Sequence, residues 1–211
     1  MEIPLFPLPG LVLFPHVVLP LHIFEDRYKV MINHSIEHDE VFGLVCLRGG
    51  ASQENEESIH RVGVTARVVQ VERLEDGRLN ILCQGESRFR VFRYTQPGPH
   101  WKASVELFDD EYEGASTLQP LYNEVAALYR KAFELGGKLA VAEKQHVESE
   151  LAVPESAAGL SYMISYVLDL DSEEKQRLLE MTSVAERLRV LATALTSAVI
   201  QLEQQVAFKG V

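Results

Sequence analysis

Cysteine is scarce in this sequence, and the two cysteines that occur are far apart. Cys46 and Cys83 both lie in apolar, strand-like runs, and they form no Cys-x-x-Cys motif. This pattern is typical of buried, reduced thiols and disfavours a structural disulfide. We therefore predict a cytoplasmic protein.

The sequence also lacks an apolar run long enough to cross a membrane. Residues 14–28 (FPHVVLPLHIFEDRY) begin as an apolar stretch, but five prolines fall within the first 20 residues. A proline inside a helix costs about 3 kcal/mol, and no window offers the roughly 20 apolar residues that a span needs. Neither a basic N-terminal region nor a small-residue cleavage site is present. We therefore expect short extended segments of a folded core, with no signal peptide and no membrane partner.

Positive charge is in deficit, because 20 Lys and Arg face 31 Asp and Glu, giving a formal net charge of −11. Such a molecule is a poor match for a phosphate backbone. Residues 88–93 (RFRVFR) do mix basic and aromatic side chains as RNA-binding strands do, yet Phe89 and Val91 occupy core-facing positions. A solvated strand face is favoured, and nucleic acid is not expected as a partner.

Motifs for nucleotide chemistry and metal binding are incomplete. The GGKL stretch at residues 136–139 is not a P-loop, because Ala132 replaces the first glycine and Leu139 replaces Ser or Thr. HSIEH, at residues 34–38, matches the H-x-x-E-H pattern of inverted zinc peptidases. It offers His34 and His38 as ligands and Glu37 as a base, but zinc would need a third ligand from elsewhere. We predict a solvated helix end there, with no metal, no cofactor and no catalytic residue.

Residues 1–113 show mostly a period of two, which predicts strands. A two-residue type I′ turn is predicted at Asp76-Gly77, with Glu75 and Arg78 paired across it. Gly85 indicates a bulge or a barrel corner in the strand that follows, and a change of phase after Val68 indicates a bend. Residues 41–47 are apolar on both faces, which predicts a central strand. One helix is predicted to bury a single face, formed by Phe24, Tyr28, Met31 and Ile32.

From residue 114 onward the period becomes 3.6, which predicts helices. Gly136-Gly137 is predicted to end the first of them, and Pro154 to begin the next. Asp171 with Glu174, and Ser183 with Glu186, fit capping boxes. The last helix carries a long apolar stripe, formed by Val184, Leu188, Leu191, Leu195, Val199, Leu202 and Val206.

The order of these segments resembles one known family. IPLFPLPGLVLFPHVVLPLHIFEDRY is similar to the opening of the N-terminal, substrate-binding domain of Lon ATP-dependent proteases. VGVTARVVQVERLEDGRLNILCQGESRFRV resembles the central hairpin of that domain, and LDLDSEEKQRLLEMTSVAERLRVLATAL (residues 168–195) continues the likeness. The resemblance implies an α+β fold, in which a PUA-like β-barrel with one helix (residues 1–113) precedes a C-terminal helical bundle (residues 114–211).

The resemblance also implies a function. Full-length Lon proteases continue into a P-loop ATPase and a Ser-Lys protease domain, whereas this sequence stops at Val211. We therefore expect a non-catalytic module that recognises unfolded or tagged polypeptides, and that serves as an adaptor to a protease. Small-ligand binding, RNA binding or an unrecognised enzymatic activity on the same barrel remain open as alternatives.

The predicted binding site is the proline-rich N-terminal segment, where prolines keep the chain extended and leave carbonyl groups unpaired. Its apolar contacts would come from Phe6, Leu11, Phe14 and Leu19, with Tyr28 and Trp101 as aromatic anchors. The alternative is that these side chains fill the barrel. The final turns of the last helix are predicted to pair with a second copy of the chain, because exposed apolar stripes rarely stay bare.

Overall fold

The computed structural model describes residues 1–38, 40–51, 54–96, 98–142 and 151–210. Two compact units are formed, Met1–Asp109 with Ser165–Glu180, and Asp110–Ile164 with Met181–Val211. The predicted boundary after residue 113 stays a prediction, but it did not anticipate that residues 165–180 belong with the first unit. Within the part of the chain described, no helix is long and apolar enough to cross a membrane.

The first unit is built on a mixed six-stranded sheet. Its strands are β1 (Glu2–Pro9), β2 (Val18–Ile23), β3 (Phe42–Leu47), β4 (Ile59–Arg73), β5 (Leu79–Gln96) and β6 (Trp101–Leu107). The order is β2-β5-β4-β3-β1-β6, and β6 pairs with β5 as well as with β1. Only β1 and β3 run parallel to each other. Because the order returns from β6 to β5, the sheet is barrel-like, and the predicted fold class is confirmed.

Two irregularities of the sheet were correctly predicted. The register of β4 against β5 shifts between Val64 and Ala66, opposite Gly85, and again between Val68 and Gln70. All six residues of β3 are buried, as expected of a central strand. The buried side chains include the free thiols of Cys46 and Cys83, as predicted.

The turn between β4 and β5 differs from the prediction. Leu74 donates its N–H to the Arg78 carbonyl (2.9 Å), and Gly77 donates to the Leu74 carbonyl (3.0 Å), so the loop has three residues. Gly77, with φ of 80°, takes the left-handed conformation that closes such loops. The predicted type I′ turn and the pairing of Glu75 with Arg78 are therefore wrong. Arg78 instead pairs with Asp76, Nε to Oδ2 at 2.6 Å.

Helix α1 (Asp26–His38) follows β2 and buries Tyr28, Met31 and Ile32, as predicted. The prediction placed Phe24 on the same face, and this is wrong. Phe24 precedes the helix and is 61% exposed. The helix begins after Glu25, whose carbonyl accepts the N–H groups of Tyr28 and Lys29. Phe24 therefore continues the alternation of the preceding strand.

Four further α-helices are described: α2 (Ala115–Ala142), α3 (Ala157–Val167), α4 (Ser172–Glu180) and α5 (Val184–Lys209). Helix α2 does not end at Gly136-Gly137 as predicted, because Leu135 and Leu139 on either side of that pair are buried. Tertiary packing thus outweighs the low helix propensity of glycine.

The N-termini of α3, α4 and α5 are capped by side chains. Helix α3 begins after Ser156, whose Oγ accepts the Gly159 N–H (3.0 Å), so Pro154 lies before the helix rather than in its first turn. The capping box of Asp171 and Glu174 is confirmed by two reciprocal bonds, of 2.8 and 3.1 Å. Ser183 accepts the Glu186 N–H at 3.1 Å, as predicted for the start of α5.

Helix α4 belongs to the first unit because polar side chains hold it on the sheet. Arg88 donates Nη1 to the Leu179 carbonyl (2.9 Å), and Gln176 donates Nε2 to the Val62 carbonyl (3.0 Å). Buried His60 lies between two carboxylates of the helix, with Nε2 3.2 Å from Glu173 and Nδ1 3.9 Å from Glu180. These contacts explain why residues 165–180 are grouped with the sheet.

Candidate functional site

Most of the site residues predicted from the sequence lie in the core. Phe6, Phe14, Leu19, Tyr28 and Trp101 are buried, and Leu11 is partly exposed. The structure brings Phe6 and Tyr28 together, with ring centroids 4.0 Å apart. It places Trp101 against Tyr94, at 5.5 Å. The alternative of barrel filling thus describes where these side chains lie, and the prediction that they bind polypeptide stays untested.

Tyr28 shows how firmly this core is fixed. Its hydroxyl donates to Glu54 Oε1 (2.9 Å), and Arg27 donates to both carboxylate oxygens of Glu54, at 2.8 and 2.6 Å. Burial, followed by the Glu54 charge, raises the pKa of the Tyr28 phenol above its ordinary value. Tyr28 therefore anchors α1 to Glu54.

An exposed row follows strand β2 instead. Val18, Pro20, His22 and Phe24, which we call the β2 row, alternate with buried Leu19 and Ile23 and half-buried Leu21. The His22 and Phe24 rings stack at 6.1 Å, which places Phe24 on the same side as the strand residues. In the described part of the chain β2 pairs with β5 alone, so it is an edge strand.

A cavity of about 400 Å³ lies beside this row and crosses three strands. We call it the β2 cavity. Its lining combines apolar side chains with amides and one carboxylate, contributed by Pro20, Leu21, His22, Gln70, Glu72, Asn80, Ile81 and Leu82. Apolar area with a few fixed polar groups is the usual composition of a binding site.

Three polar side chains form a chain across the strands at this cavity. His22, Asn80 and Glu72 are direct cross-strand neighbours. His22 Nδ1 lies 2.7 Å from Asn80 Oδ1, and Asn80 Nδ2 donates to Glu72 Oε2 at 2.7 Å. Because an amide oxygen only accepts, this arrangement puts the His22 proton on Nδ1. The polar groups of the cavity are therefore held in fixed positions.

The sequence carries a signal for this surface that the predicted site does not use. Proline within a strand is confined to edges and bulges, and Pro20 lies in the middle of β2. The alternation of Val18, Pro20, His22 and Phe24 with Leu19, Leu21 and Ile23 separates an outer face from an inner face. Only the fold shows which of these faces is covered.

The HSIEH segment forms the exposed end of α1. The rings of His34 and His38 lie 4.2 Å apart, and His38 Nδ1 donates to the His34 carbonyl (2.9 Å). Among the residues that the structure describes, no group of three His, Cys, Asp or Glu side chains could hold a metal ion. A second cavity, of about 330 Å³, lies nearby and is lined in part by His34, His100 and Lys102. Burial and the Lys102 charge lower the pKa of His100 there.

The basic residues of the RFRVFR segment are largely engaged within the first unit. Arg88 is buried, and its guanidinium lies 4.5 Å from the Phe108 ring centroid. Arg90 approaches the same ring at 5.0 Å. These contacts favour a structural role for Arg88 and Arg90 over phosphate binding.

Known structures share this fold. The N-terminal domain of a Mycobacterium avium complex Lon protease superposes with a TM-score of 0.67 at 20% identity, covering 93% of this chain and 98% of that one. The Lon N-terminal domain protein from Xanthomonas campestris superposes with a TM-score of 0.62 at 22% identity, covering 92% and 98%. At such identities the likeness shows the fold alone.

Sequence relatives extend the comparison. Lon protease 2 of Herpetosiphon aurantiacus is 29% identical over 204 residues, which cover 96% of this chain and 24% of the relative. Lon protease of Escherichia coli is 26% identical over 208 residues, covering 97% and 26%. The chain thus spans about a quarter of the length of these curated relatives. The sequence model of the ATP-dependent protease La (LON) substrate-binding domain matches residues 2–197, and the chain therefore belongs to the family of Lon substrate-binding domains.

Proposed function

We propose that the chain is a non-catalytic module that binds extended, unfolded polypeptide and delivers it to a protease. One observation carries the proposal: a chain of the Lon substrate-binding family exposes the β2 row beside the β2 cavity. The exposed Phe24 supplies an aromatic anchor of the kind that dominates interface energies. In this proposal Phe6, Phe14, Leu19, Tyr28 and Trp101 support the surface from within the core.

The row and the cavity suit an unfolded partner. Unfolded chains expose apolar side chains together with main-chain groups, and folded proteins hide both. Val18, Phe24 and the apolar cavity wall offer area to the side chains, whereas His22, Asn80 and Glu72 offer fixed hydrogen-bonding groups. A site of this composition binds many sequences with modest affinity, as a substrate-recognition module requires.

Binding can be tested with fluorescently labelled pancreatic ribonuclease that has been reduced and carbamidomethylated. This form is unfolded, and native ribonuclease has the same backbone and the same charged residues, so it controls for electrostatic attraction. Fluorescence anisotropy should show binding of the unfolded form alone. The proposal fails if both forms bind equally, or if neither binds.

The site can be tested with a matched pair of substitutions. Phe24→Ser removes the anchor of the β2 row, and Phe92→Ser removes another exposed phenylalanine, which lies on β5 away from the cavity. We expect about tenfold weaker binding for Phe24→Ser, corresponding to about 1.4 kcal/mol, and no change for Phe92→Ser. Equal effects would place the site elsewhere.

The proposed partners follow from the same reasoning. They are unfolded or tagged polypeptides, a protease that receives them, and a second copy of the chain bound through the last helix. We propose the cytoplasm as the compartment, and the two free, buried thiols support it. Purified protein is expected neither to hydrolyse ATP nor to cleave unfolded ribonuclease.

A further inference from the structure

Among the residues that the structure describes, β2 pairs with β5 on one side only, and two observations show which β2 residues face the other side. Gly85 donates its N–H to the Val17 carbonyl at 2.9 Å, so the ladder at the start of β2 has residue 17 facing β5. Just before β5 begins, Leu74 donates its N–H to the Arg78 carbonyl at 2.9 Å, so this pair is hydrogen-bonded across β4 and β5. In an antiparallel ladder the residues that exchange hydrogen bonds alternate.

Both hydrogen bonds lead to the same assignment of the β2 residues that face β5. Counting by twos from Val17 makes Leu19, Leu21 and Ile23 the residues that exchange bonds with β5, opposite Cys83, Ile81 and Leu79. Counting by twos from the pair of Leu74 and Arg78 makes Asn80 and Leu82 face β4, which leaves residues 79, 81 and 83 to face β2. The main-chain groups of Val18, Pro20 and His22 therefore point away from the sheet.

These three residues present a defined hydrogen-bonding edge. Val18 and His22 each offer an N–H and a carbonyl, whereas Pro20 offers only a carbonyl. A proline at such a position weakens the association of one free edge with another. A partner strand can therefore bind this edge, but it finds no N–H donor at Pro20, in the centre of the edge.

We propose that an extended segment of another polypeptide adds to this edge as a further strand, hydrogen-bonded to Val18, Pro20 and His22. This inference rests on the proposed function and names how the substrate is held. Main-chain pairing tolerates many sequences, and alternate side chains of the added strand would lie beside the β2 row. The affinity is kept low by the missing donor of Pro20, which favours release of the substrate.

The negative charge around the β2 edge indicates which polypeptide segments can bind there. The chain has a formal net charge of −11, and the β2 cavity contains the carboxylate of Glu72. Acidic segments are therefore repelled and basic ones are attracted, while neutral segments are not excluded by charge. The occupant is an unfolded segment with apolar side chains at alternate positions and no acidic residues.

The first test uses a fluorescein-labelled peptide of alternating valine and threonine with lysine at both ends. N-methylation at alternate residues blocks the N–H groups on one edge of the strand only. For a given strand direction the alternation of side chains fixes which edge faces β2, so methylation on one parity should weaken binding more than tenfold and on the other parity should not. Equal effects at both parities overturn the proposal.

The second test changes the edge itself. Pro20→Ala restores the missing donor and should tighten binding of the unmethylated peptide about fivefold. His22→Pro removes a donor and should weaken binding about fivefold relative to His22→Ala, which loses the same imidazole but keeps the N–H. Amide hydrogen exchange at Val18 and His22 should slow by at least about tenfold when the peptide is bound.

The outcomes separate this inference from the proposed function. If unfolded ribonuclease binds and Phe24→Ser weakens it, but the edge variants and methylation have no effect, the edge is not used and the proposed function stands. If neither ribonuclease nor the peptide binds, the proposed function itself fails. If Pro20→Ala instead produces a concentration-dependent dimer in sedimentation, the edge takes a second copy of the chain, which also overturns the inference.

Discussion

Gly85 of β5 lies directly against the backbone of Phe14, so that a Cβ atom at residue 85 would collide with the Phe14 carbonyl oxygen. The contact is fixed by hydrogen bonds on the same segment, because Gly85 accepts the His16 N–H (2.8 Å) and donates to the Val17 carbonyl (2.9 Å). We expect Gly85→Ala to lower the free energy of unfolding by about 1–3 kcal/mol, since backbone must move to admit the methyl group. Urea titration measures the change.

A second glycine provides the control for this prediction. Gly136 lies within helix α2, and a Cβ atom there would meet nothing within 4 Å. Gly136→Ala should stabilise the protein by about 0.5–1 kcal/mol, because glycine loses more backbone entropy than alanine in a helix. If both substitutions changed stability equally, close approach to Phe14 would not be the cause.

The second prediction concerns a buried ion pair in the second unit. Arg187 has no exposed side-chain area, and its Nη2 lies 2.8 Å from Asp110 Oδ2. Asp110→Asn keeps the shape of the side chain but leaves the guanidinium uncompensated. Removing one partner of such a pair costs about 3–5 kcal/mol, and the loss should appear as a lower urea midpoint.

An exposed pair in the same unit is the comparison. Lys131 Nζ lies 2.6 Å from Glu203 Oε1, with both side chains about half exposed. Glu203→Gln should change the free energy of unfolding by less than about 1 kcal/mol. A loss for Asp110→Asn no larger than this would contradict the importance assigned to the buried pair.

The third prediction is a pH dependence at α4. The Gly49 N–H, followed by His60, lowers the pKa of Glu173 below its ordinary value of 4.5. A carboxyl group whose pKa falls on folding stabilises the protein above its unfolded pKa, and this contribution is lost as the pH falls through the folded pKa. Glu173→Gln should therefore be less stable than the unmodified protein at pH 7, and the difference should shrink on acidification. A difference that stays constant down to pH 3 would argue against the carboxylate.

The fourth prediction concerns self-association. At the end of α5, Leu202 and Val206 are half-buried, while Ile200 and Phe208 are 49% and 92% exposed. We expect a dimer through these turns, because apolar side chains at such positions are commonly covered by a partner. Replacing Ile200 and Phe208 together by Glu should give a monomer in analytical ultracentrifugation.

The control for the fourth prediction lies on the same helix. Val190 is 44% exposed but lies near the start of α5. Val190→Glu should leave the dimer intact. A monomer without any substitution, or a dimer that survives both Glu residues, would show that the final turns do not form the interface.

Local features of this fold were predictable from the sequence, whereas features set by packing were not. Asp171 and Glu174 cap one another across a single turn, so a spacing of three residues suffices to predict the motif. The prediction that α2 ends at Gly136-Gly137 failed because the helix continues through them with Leu135 and Leu139 buried on either side. The hydrophobicity of Phe14 and Phe24 is identical, yet one is buried and the other is exposed. Phe14 precedes β2 and Phe24 follows it, and only the fold shows which of the two is covered.

Helix α4 is synthesised later than the rest of the first unit, because residues 110–164 of the second unit precede it in the chain. Residues 1–109 leave the ribosome before residues 165–180. Arg88 and His60, which contact α4 in the folded protein, are therefore synthesised before the helix that they bind. The packing of α4 on the sheet can therefore be completed only after residues 110–164 of the second unit have been synthesised. A fragment ending at residue 113 would contain the six strands but not α4, which packs on them. A single cleavage of the chain therefore cannot separate the two units.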